Sequence, residues 1–256
     1  MFSWLSSLPA QWRILLASLT ALALTIPLLP TLSTRPLSQT FAPNVANVST
    51  APVISRNWSG YAATGGSFTS VIGSWIVPQV VGNGHAAADA TWVGIGGFQS
   101  SDLIQSGILD QISRTGHETH SAFFEMLPNV AQQIPVTINS GDSITVSVTE
   151  KSTNQWQISF KDSTNGQTYT TTARYLSSLS SAEWIEEAPS NGRRILPLAN
   201  FGTIEVSSAS TIENGNQDTI AQSNAQSVIM VNSRGQAIAI PSSLGSDGAS
   251  FSIRYS

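Results

Sequence analysis

A short stretch of the chain combines three carboxyl groups with large apolar side chains. It reads Ala-Glu-Trp-Ile-Glu-Glu-Ala, with the acids at Glu183, Glu186 and Glu187. If the stretch is a β-strand, Glu183 and Glu187 share one face with Ile185, whereas Glu186 shares the other face with Trp184. At least one carboxyl group then lies beside a large apolar side chain, where burial raises its pKa and suits it to general acid or base catalysis. A solvated outer strand face that carries acids fits the same pattern.

Two other polar side chains stand in comparably apolar segments. Glu125 is the one acid in Ala-Phe-Phe-Glu-Met-Leu-Pro, and Gln105 follows Leu103 and Ile104. A buried carboxyl or amide group needs hydrogen-bonding partners, so both positions are candidates for a polar site in apolar surroundings. On its own pattern, Gln105 is better explained as a structural hydrogen-bonding residue than as a catalytic one.

Several common catalytic arrangements are absent from the sequence. The chain has no cysteine, which excludes thiol catalysis, disulfides and cysteine-ligated metals. It also has no Gly-x-Ser-x-Gly elbow, no Asp-Thr-Gly or Asp-Ser-Gly motif and no His-Glu-x-x-His motif. His117 and His120 would point to opposite faces of a strand, so a polar turn leading into Phe123 explains them better than a metal site, and His85 is expected to be an exposed loop residue. We therefore predict neither a metal site nor a cofactor.

Charge is sparse and slightly acidic. Charged residues make up 10% of the chain, against ~25% in an average globular protein. All 15 acidic residues lie at or beyond Asp89, and the basic residues form no cluster. Nucleic acid is therefore not an expected partner. Because few ion pairs can form, the fold should lose little stability when acid protonates its carboxylates.

The N-terminal part differs from the rest of the chain. Arg13 precedes an uncharged apolar run whose proline-free part ends at Ile26. This length fits the ~7–15-residue apolar region of a secretory signal better than a ~20-residue membrane span. We therefore expect a signal peptide, or else a retained N-terminal anchor, at residues 1–32, a linker or propeptide at 33–55 and one folded, secreted domain at 56–256.

The pattern of the domain is that of an all-β protein. Apolar and polar residues alternate over 68–77 and again over 143–149. Segments 156–161 and 167–173 flank a loop that contains Asn-Gly, which predicts a hairpin. No segment has a convincing apolar repeat of helical period. Many short strands separated by Gly, Ser and Asn turns predict an antiparallel two-sheet β-sandwich.

Seven short motifs occur in a specific order. They are Asn57-Trp-Ser-Gly-Tyr61, Trp75-Ile-Val-Pro78, Thr91-Trp-Val-Gly-Ile-Gly-Gly97, Leu103-Ile-Gln-Ser-Gly107, Phe123-Phe-Glu-Met-Leu-Pro128, Gly141-Asp-Ser-Ile144 and Ala182-Glu-Trp-Ile-Glu-Glu187. Together they resemble the glutamic peptidase (eqolisin) family, in a bacterial-type form without disulfides. The resemblance implies a concanavalin-like sandwich of two strongly bent antiparallel sheets. It also implies proteolysis at acidic pH that needs no metal or cofactor and resists pepstatin.

The same resemblance implies a catalytic pair. The family's catalytic Gln matches Gln105 and its catalytic Glu matches Glu187, while Trp92 and Glu125 match positions that line the substrate cleft. Glu183, which shares a strand face with Glu187, is also expected in the cleft. The Glu would take a proton from a water that attacks the scissile carbonyl, and the Gln would donate a hydrogen bond to the developing oxyanion.

Two departures from the better-known fungal members concern the cleft. Gly96 stands where those proteins carry an Asp, and Met126 replaces an aromatic residue. The resemblance therefore leaves the hydrogen bonding and subsite preference of the cleft open.

Two other functions fit a β-sandwich with acids in apolar strands. A glycoside hydrolase could pair Glu125 with Glu187, although Glu183 and Glu187 would be ~13 Å apart on one strand, beyond the ~5–9.5 Å of such pairs. A carbohydrate-binding sandwich could use exposed Trp and Tyr rings, but it leaves Gln105 and Glu187 unexplained. As a peptidase, the chain is expected to be a monomer that acts on protein or peptide substrates. A membrane would be a partner only if the N-terminal segment is retained.

Overall fold

The computed structural model describes residues 51–82, 84–192 and 194–256, and its regular elements within these ranges are all β-strands. In chain order they are β1 (Val53–Ser55), β2 (Trp58–Thr64), β3 (Phe68–Ile76), β4 (Ala87–Gly96), β5 (Leu103–Ile112), β6 (Glu118–Met126), β7 (Gln132–Gln133), β8 (Ser143–Ser152), β9 (Gln155–Asp162), β10 (Thr168–Arg174), β11 (Ser181–Glu187), β12 (Thr203–Glu213), β13 (Asn216–Thr219), β14 (Gln226–Val231), β15 (Ala237–Pro241) and β16 (Phe251–Tyr255). The described ranges contain no helix long and apolar enough to cross a membrane. The predicted segment 1–32 lies outside the described residues, as does most of segment 33–55, whose end forms β1.

Hydrogen bonds join the strands into one path that folds over itself into two layers. The path runs β10-β9-β8-β3-β12-β16-β15-β14-β2-β11-β4-β5-β6-β7, with β13 attached to β12 and β1 to β14. Strands β3 and β8 of one layer lie against β4, β5 and β11 of the other. The pairs that carry the predicted site are antiparallel, whereas β1 and β14 are parallel. The predicted antiparallel sandwich is confirmed, although its two layers are joined along one side through β14 and β15.

Large apolar side chains from both layers fill the interior of the sandwich. They include Trp75, Trp156 and Trp184, each at most 2% exposed. The indole Nε1 of Trp184, on β11, donates a hydrogen bond to the carbonyl oxygen of Ile72 in the opposite layer at 2.7 Å. Gly73 makes room for this ring, since a Cβ there would lie 3.2 Å from Trp184 Cδ1. Trp184 therefore fixes the strand of the predicted acids against the facing layer.

The predicted hairpin is confirmed as β9 and β10, in which Thr168 pairs with Lys161. Its turn is wider than a two-residue Asn-Gly turn. The backbone N–H of Asp162 donates to the carbonyl of Gln167 at 2.9 Å, and that of Gly166 donates back to the carbonyl of Asp162 at 3.0 Å. Within the Asn-Gly dipeptide only Gly166 has a positive φ, of 77°.

Strand β11 lies between β2 and β4, and all of its residues are buried. As the alternation predicted, Trp184 faces the interior, on the same side of β11 as Glu186, while Glu183 and Glu187 face the other way. All three acids are 0% exposed. A solvated outer face with three acids is therefore wrong, because side chains cover both faces of this strand.

Candidate active site

The sheet formed by β2, β11, β4, β5 and β6 has an outer face, turned away from the sandwich interior, on which the predicted site residues meet. Gly94 of β4 pairs with both Glu183 and Gln105, and Gln105 pairs with Glu125, so these residues form a row across the sheet. Glu187 lies on the same face, farther along β11. A second cluster of buried apolar side chains, the outer cluster, surrounds them: Trp58, Ala62, Ala90, Trp92, Phe98, Leu103, Phe123, Ile185 and Val228.

Two N–H groups of the described residues donate to Glu187. Nδ2 of Asn57 donates to Oε1 at 3.1 Å, and Nε1 of Trp92 donates to Oε2 at 2.9 Å. Burial raises the pKa of Glu187 well above its usual range; the Trp92 hydrogen bond lowers that pKa, the nearby carboxyl group of Glu125 raises it, and the Asn57 hydrogen bond lowers it. Glu187 is therefore a fixed and poorly solvated carboxyl group, which suits it to exchanging a proton with a bound molecule.

Gln105 is oriented by the neighbouring strand. Its Nε2 donates to Oε2 of Glu125 at 2.8 Å. Because a carboxyl oxygen accepts this N–H, the nitrogen of the amide faces Glu125. Oε1 of Gln105 accepts no hydrogen bond from the described part of the chain. The amide thus retains an acceptor and a second N–H for another group.

The indole of Trp92 lies between Glu187 and Gln105. Its Nε1 reaches Glu187, while a Cβ placed on Gly94 would lie 2.9 Å from its Cζ3 and 3.2 Å from the Cβ of Gln105. A Cβ on Gly107 would lie 2.6 Å from the Cβ of Trp92. The two glycines therefore let the indole lie close to the backbone of β4 and β5.

Glu183 stands at a different end of the outer face from Glu187, with Ile185 between them on β11. It is 0% exposed. Burial raises its pKa well above the usual range, the neighbouring hydroxyl of Ser181 opposes that rise and the carboxylate of Asp102 adds to it. Glu183 thus lies in the same row as Gln105, with Gly94 between them. It is near Asp102, in the loop that precedes β5.

The two departures from the fungal pattern have local explanations. Gly96 has a φ of 84°, and a Cβ there would lie 2.6 Å from the carbonyl oxygen of Asp102 and 2.9 Å from its Oδ2. The Asp102 carboxylate is itself fixed, since it accepts the backbone N–H of Ser178 at 2.6 Å. Met126 pairs with Ile104 and packs against the interior of the sandwich. Met126 therefore points away from the outer face, and a neighbouring carboxylate fills the space beside Gly96.

The histidines lie away from the outer face. His120 faces the interior, with its Nδ1 2.6 Å from Oδ1 of Asp110 and its Nε2 3.2 Å from Oε1 of Glu118. The predicted polar turn is therefore wrong for His120, which lies on strand β6, because this strand begins at Glu118. His117 and His85 are exposed, as predicted for His85. Within 51–82, 84–192 and 194–256, no group of three or more His, Cys, Asp or Glu side chains is arranged to hold a metal ion.

The motif Asn57-Trp-Ser-Gly-Tyr61 does not by itself indicate a role for Asn57. Asn57 reaches Glu187 because β2 and β11 are antiparallel, with Trp58 directly opposite Glu187. The local pattern likewise does not show that Asp89 and Asp110 are fully buried on the inner face of the same sheet. Both findings depend on strand pairing between distant segments, which a local pattern does not contain.

Comparison with known proteins supports the motif resemblance. Residues 56–255 match the model of the Peptidase A4 family. Aspergillopepsin-2 from Aspergillus niger is 27% identical over 194 residues, which are 66% of this chain and 68% of that protein. Scytalidopepsin B from Scytalidium lignicola is 33% identical over 175 residues, which are 63% of this chain and 65% of that protein. The chain thus spans about two thirds of the length of these relatives.

A solved structure of scytalido-glutamic peptidase with a transition state analog inhibitor is similar with a TM-score of 0.66 at 27% identity, over 78% of this chain and 98% of that chain. These similarities are to peptidases, and they give no support to a glycoside hydrolase or a carbohydrate-binding sandwich. They confirm the resemblance carried by the seven motifs. The chain belongs to the Peptidase A4 family, the glutamic peptidases or eqolisins.

Proposed function

We propose that this chain is a secreted acid endopeptidase in which Gln105 and Glu187 form the catalytic dyad. The proposal rests on one observation: hydrogen bonds orient the side chains of both residues on the same buried face of the sheet. Glu187 accepts hydrogen bonds from Trp92 and Asn57, while Gln105 is turned by Glu125 so that its Oε1 accepts nothing from the described residues. A fixed carboxyl group and an oriented amide are the two groups that water activation and oxyanion binding require.

In the proposed reaction a water binds between the two residues. Glu187 accepts one proton of this water, and the water oxygen forms a bond to the scissile carbonyl carbon. Gln105 donates an N–H to the carbonyl oxygen as it becomes negative. Glu187 then gives its proton to the amide nitrogen as the C–N bond breaks, which releases a carboxylic acid and an amine. The Gln105 amide stays neutral in acid and keeps its donor there.

The same carboxyl group acts first as a base and then as an acid, so it must be ionised in the free enzyme and must gain and release a proton during the reaction. Burial raises the pKa of Glu187, whereas the Trp92 and Asn57 hydrogen bonds lower it. At pH values below that pKa, Glu187 is protonated and cannot activate water. We therefore expect kcat/KM to rise with pH along an acid limb that reports the ionisation of Glu187.

Substrate entry requires movement on the outer face. Gln105 and Glu187 are each 0% exposed, and Glu125 and Trp92 are 1% exposed. A scissile carbonyl can therefore reach the dyad only when covering side chains move aside. Phe98 belongs to the outer cluster and Leu127 packs against it. Both are apolar neighbours that could contact the side chains of a bound substrate.

The expected substrates are polypeptides. The related scytalido-glutamic peptidase has been solved with a peptide based transition state analog, and the related SCP-B with the tripeptide Ala-Ile-His. Binding of peptides by these two proteins supports the same substrate class for this chain. Secretion is supported by Arg13 and the apolar run that follows it. N-terminal sequencing of protein recovered from the culture medium would test export, and a retained residue 1 in a membrane fraction would contradict release.

The function is tested by digestion of denatured protein across roughly pH 2–7, with pepstatin present, using wild type and Glu187→Gln. We expect wild type to cleave in acid and Glu187→Gln to be inactive, because an amide cannot accept the proton. Glu205→Gln is the matched control, since Glu205 is exposed on β12. Wild-type activity confined to neutral pH, or an active Glu187→Gln enzyme, would refute the proposal.

A further inference from the structure

We infer that Asn57 is a positioning residue that holds Glu187 and sets the acid limb of the reaction; this inference rests on the proposed function. Asn57 is buried and immediately precedes β2. Its Nδ2 donates to Oε1 of Glu187, opposite the oxygen that Trp92 engages. Each carboxyl oxygen of Glu187 thus has its own N–H donor.

The Asn57 amide is fixed by its surroundings. Its backbone carbonyl accepts the N–H of Ala188 at 2.8 Å, which ties it to the residue after Glu187. Oγ of Ser55 accepts the backbone N–H groups of Asn57 at 3.3 Å and Trp58 at 3.0 Å. The same hydroxyl lies 3.4 Å from Oδ1 of Asn57, to which it donates. Because Oδ1 faces Ser55, Nδ2 must face Glu187.

Such a donor stabilises the ionised form of Glu187. Burial raises the pKa of Glu187, and the Asn57 hydrogen bond opposes that rise. An amide also keeps its donor at every pH. Removing it should leave Glu187 harder to ionise, so that the acid limb of kcat/KM moves to higher pH.

The test compares pH profiles of kcat/KM for wild type, Asn57→Ala and Asn57→Asp on one fluorogenic peptide. Asn57→Ala should move the acid limb upward by about 1–2 pH units, the shift expected for losing a hydrogen bond to a charged group. At the lowest pH, Asn57→Asp should be more active than Asn57→Ala, because a protonated Asp still donates a hydrogen bond to Glu187. As the pH rises and the new acid ionises beside Glu187, Asn57→Asp should lose this advantage. Asn216→Ala, on exposed β13, is the control.

Unchanged limb positions in both Asn57 variants would overturn the inference, whatever their thermal stability. Asn57→Asp keeps the test decisive if Asn57→Ala does not fold. Failure of this inference differs from failure of the proposed dyad. If Glu187→Gln is inactive and the limbs do not move, only the role of Asn57 is wrong; if Glu187→Gln is active, the dyad itself is wrong.

On the inner face of the same sheet, five titratable side chains that the mechanism does not use come together. This inner acid cluster consists of Asp89, Asp110, Glu118, His120 and Glu186. Asp89 pairs with Asp110 across β4 and β5, and Asp110 pairs with His120 across β5 and β6. Glu186 of β11 pairs with Thr91, which shares the inner face with Asp89.

The contact between Asp89 and Glu186 needs a proton. Both side chains are 0% exposed and lie within hydrogen-bonding reach of each other. Thr91 Oγ1 donates to Oε2 of Glu186 at 2.7 Å, but no N–H or O–H of the described residues donates to either oxygen of Asp89 or to Oε1 of Glu186. Two ionised carboxylates offer only acceptors, so this contact is a hydrogen bond only while one carboxyl group is protonated.

Negatively charged neighbours of Asp89 and Glu186 also favour a protonated carboxyl group in this pair. In the described residues, the ion pairs of the cluster are those of His120 with Asp110 at 2.6 Å and with Glu118 at 3.2 Å, and Asp142 is a further negative neighbour of His120. Burial, and then Glu186 and Asp110, raise the pKa of Asp89. Burial likewise raises the pKa of Glu186, and it raises that of Asp110 to about 6 against the opposing effect of His120.

The geometry points to a proton-dependent lock: the inner acid cluster holds β11, β4 and β5 together in acid and loosens them as the pH approaches neutrality. A carboxyl group whose pKa is raised on folding gives its full stability below about 4, the pKa of an unfolded acid. That stability is lost as the pH rises from there through the raised value, which is about 6 for Asp110. Glu186 and Thr91 directly adjoin Glu187 and Trp92, so loosening here would also displace the active site.

Urea unfolding of wild type, Glu186→Gln and Asp89→Asn/Glu186→Gln between pH 4 and 7.5 tests the lock without using enzyme activity. The amides copy the protonated carboxyl groups but cannot ionise. We expect the wild-type free energy of unfolding to fall with pH, at a slope that corresponds to at least one proton released per molecule unfolded. The variants should show a slope smaller by about one proton, while Glu205→Gln should keep the wild-type slope.

A wild-type free energy of unfolding that does not fall with pH would overturn the lock. So would variants whose slope equals that of wild type. The single variant decides the question if the double variant does not fold. Because the readout is the slope against pH at several pH values, a uniform loss of stability cannot imitate the expected result.

Discussion

Replacement of Trp92 by Phe removes one hydrogen bond to Glu187 and keeps an aromatic ring on the outer face. The indole Nε1 of Trp92 donates to Oε2 of Glu187 at 2.9 Å. Its ring also packs edge-on against Trp58, with centroids 4.9 Å apart. Phe retains most of the ring contact but has no donor. Glu187 would then keep the Asn57 donor, and the neighbouring Trp58 side chain would still lower its pKa.

The magnitude follows from the chemistry of that bond. A hydrogen bond to a charged group contributes about 1.5–3 kcal/mol net, and both Trp92 and Glu187 are at most 1% exposed, so water cannot replace it. One pKa unit corresponds to about 1.4 kcal/mol. The acid limb of kcat/KM should therefore move up by about 1–2 pH units. At pH values below the limb, this corresponds to a loss of about 10–100-fold, because the ionised fraction of Glu187 falls tenfold per unit.

The assay is the pH dependence of kcat/KM for wild type, Trp92→Phe and Trp156→Phe. Trp156 is a matched control, since it is also fully buried and its Nε1 donates a single hydrogen bond, to the carbonyl oxygen of Tyr175 at 3.0 Å. Both variants should lose stability through the smaller ring, by about 1–3 kcal/mol. Trp92→Phe alone should move the acid limb. A limb that stays in place in Trp92→Phe would refute the account of how Glu187 is held.

Three further substitutions test other parts of the structure. Glu125→Leu should lower kcat at least tenfold with little change in KM, because Gln105 loses the acceptor that orients its amide; steady-state kinetics that show a wild-type kcat would contradict this. Gly96→Asp should lower Tm, because its Cβ would lie 2.6 Å from the carbonyl oxygen of Asp102 at a φ of 84°; an unchanged melting curve would show that this space is not needed. Gly60→Ala should prevent folding, because its Cβ would lie 2.1 Å from the carbonyl oxygen of Trp184; a native circular dichroism spectrum would refute that expectation.

Local patterns in the sequence predict the strands well, because alternation and turn residues act over a few neighbours. The hairpin of β9 and β10 lies where its apolar alternation and Asn-Gly dipeptide indicate. The width of its turn was not predictable from Asn-Gly alone. Asp162 closes the turn through backbone hydrogen bonds with Gly166 and Gln167, and these depend on the flanking register.

The same alternation correctly assigned the acids of β11 to its two faces, but not their burial. Glu186 is buried because the facing layer covers the interior side, and Glu187 is buried because the outer cluster covers the other side. Neither cover is visible in the local sequence. Gln105 is a sharper case: its own segment suggested a structural amide, and the family motifs singled it out. Its contact with Glu125 becomes apparent only from the pairing of β5 with β6.

The significance of Gly96 also depended on a residue that its motif does not contain. As a departure from the fungal pattern it suggested a missing carboxylate. The fold brings the carboxylate of Asp102 beside it, held by the N–H of Ser178. Asn57 is comparable, since its motif predicted the strand but not its partner across β2 and β11.

The central claim is that Gln105 and Glu187 act as one catalytic unit. The direct measurement is kcat for hydrolysis of one peptide in acid by wild type, Gln105→Ala, Glu187→Gln and the double variant. Loss of one oxyanion donor costs about 100–1,000-fold, and residues that act as a unit give strongly non-additive effects. We therefore expect each single variant to lose at least about 100-fold and the double variant to be no slower than Glu187→Gln. A single variant with wild-type kcat, or losses that multiply in the double variant, would contradict the account.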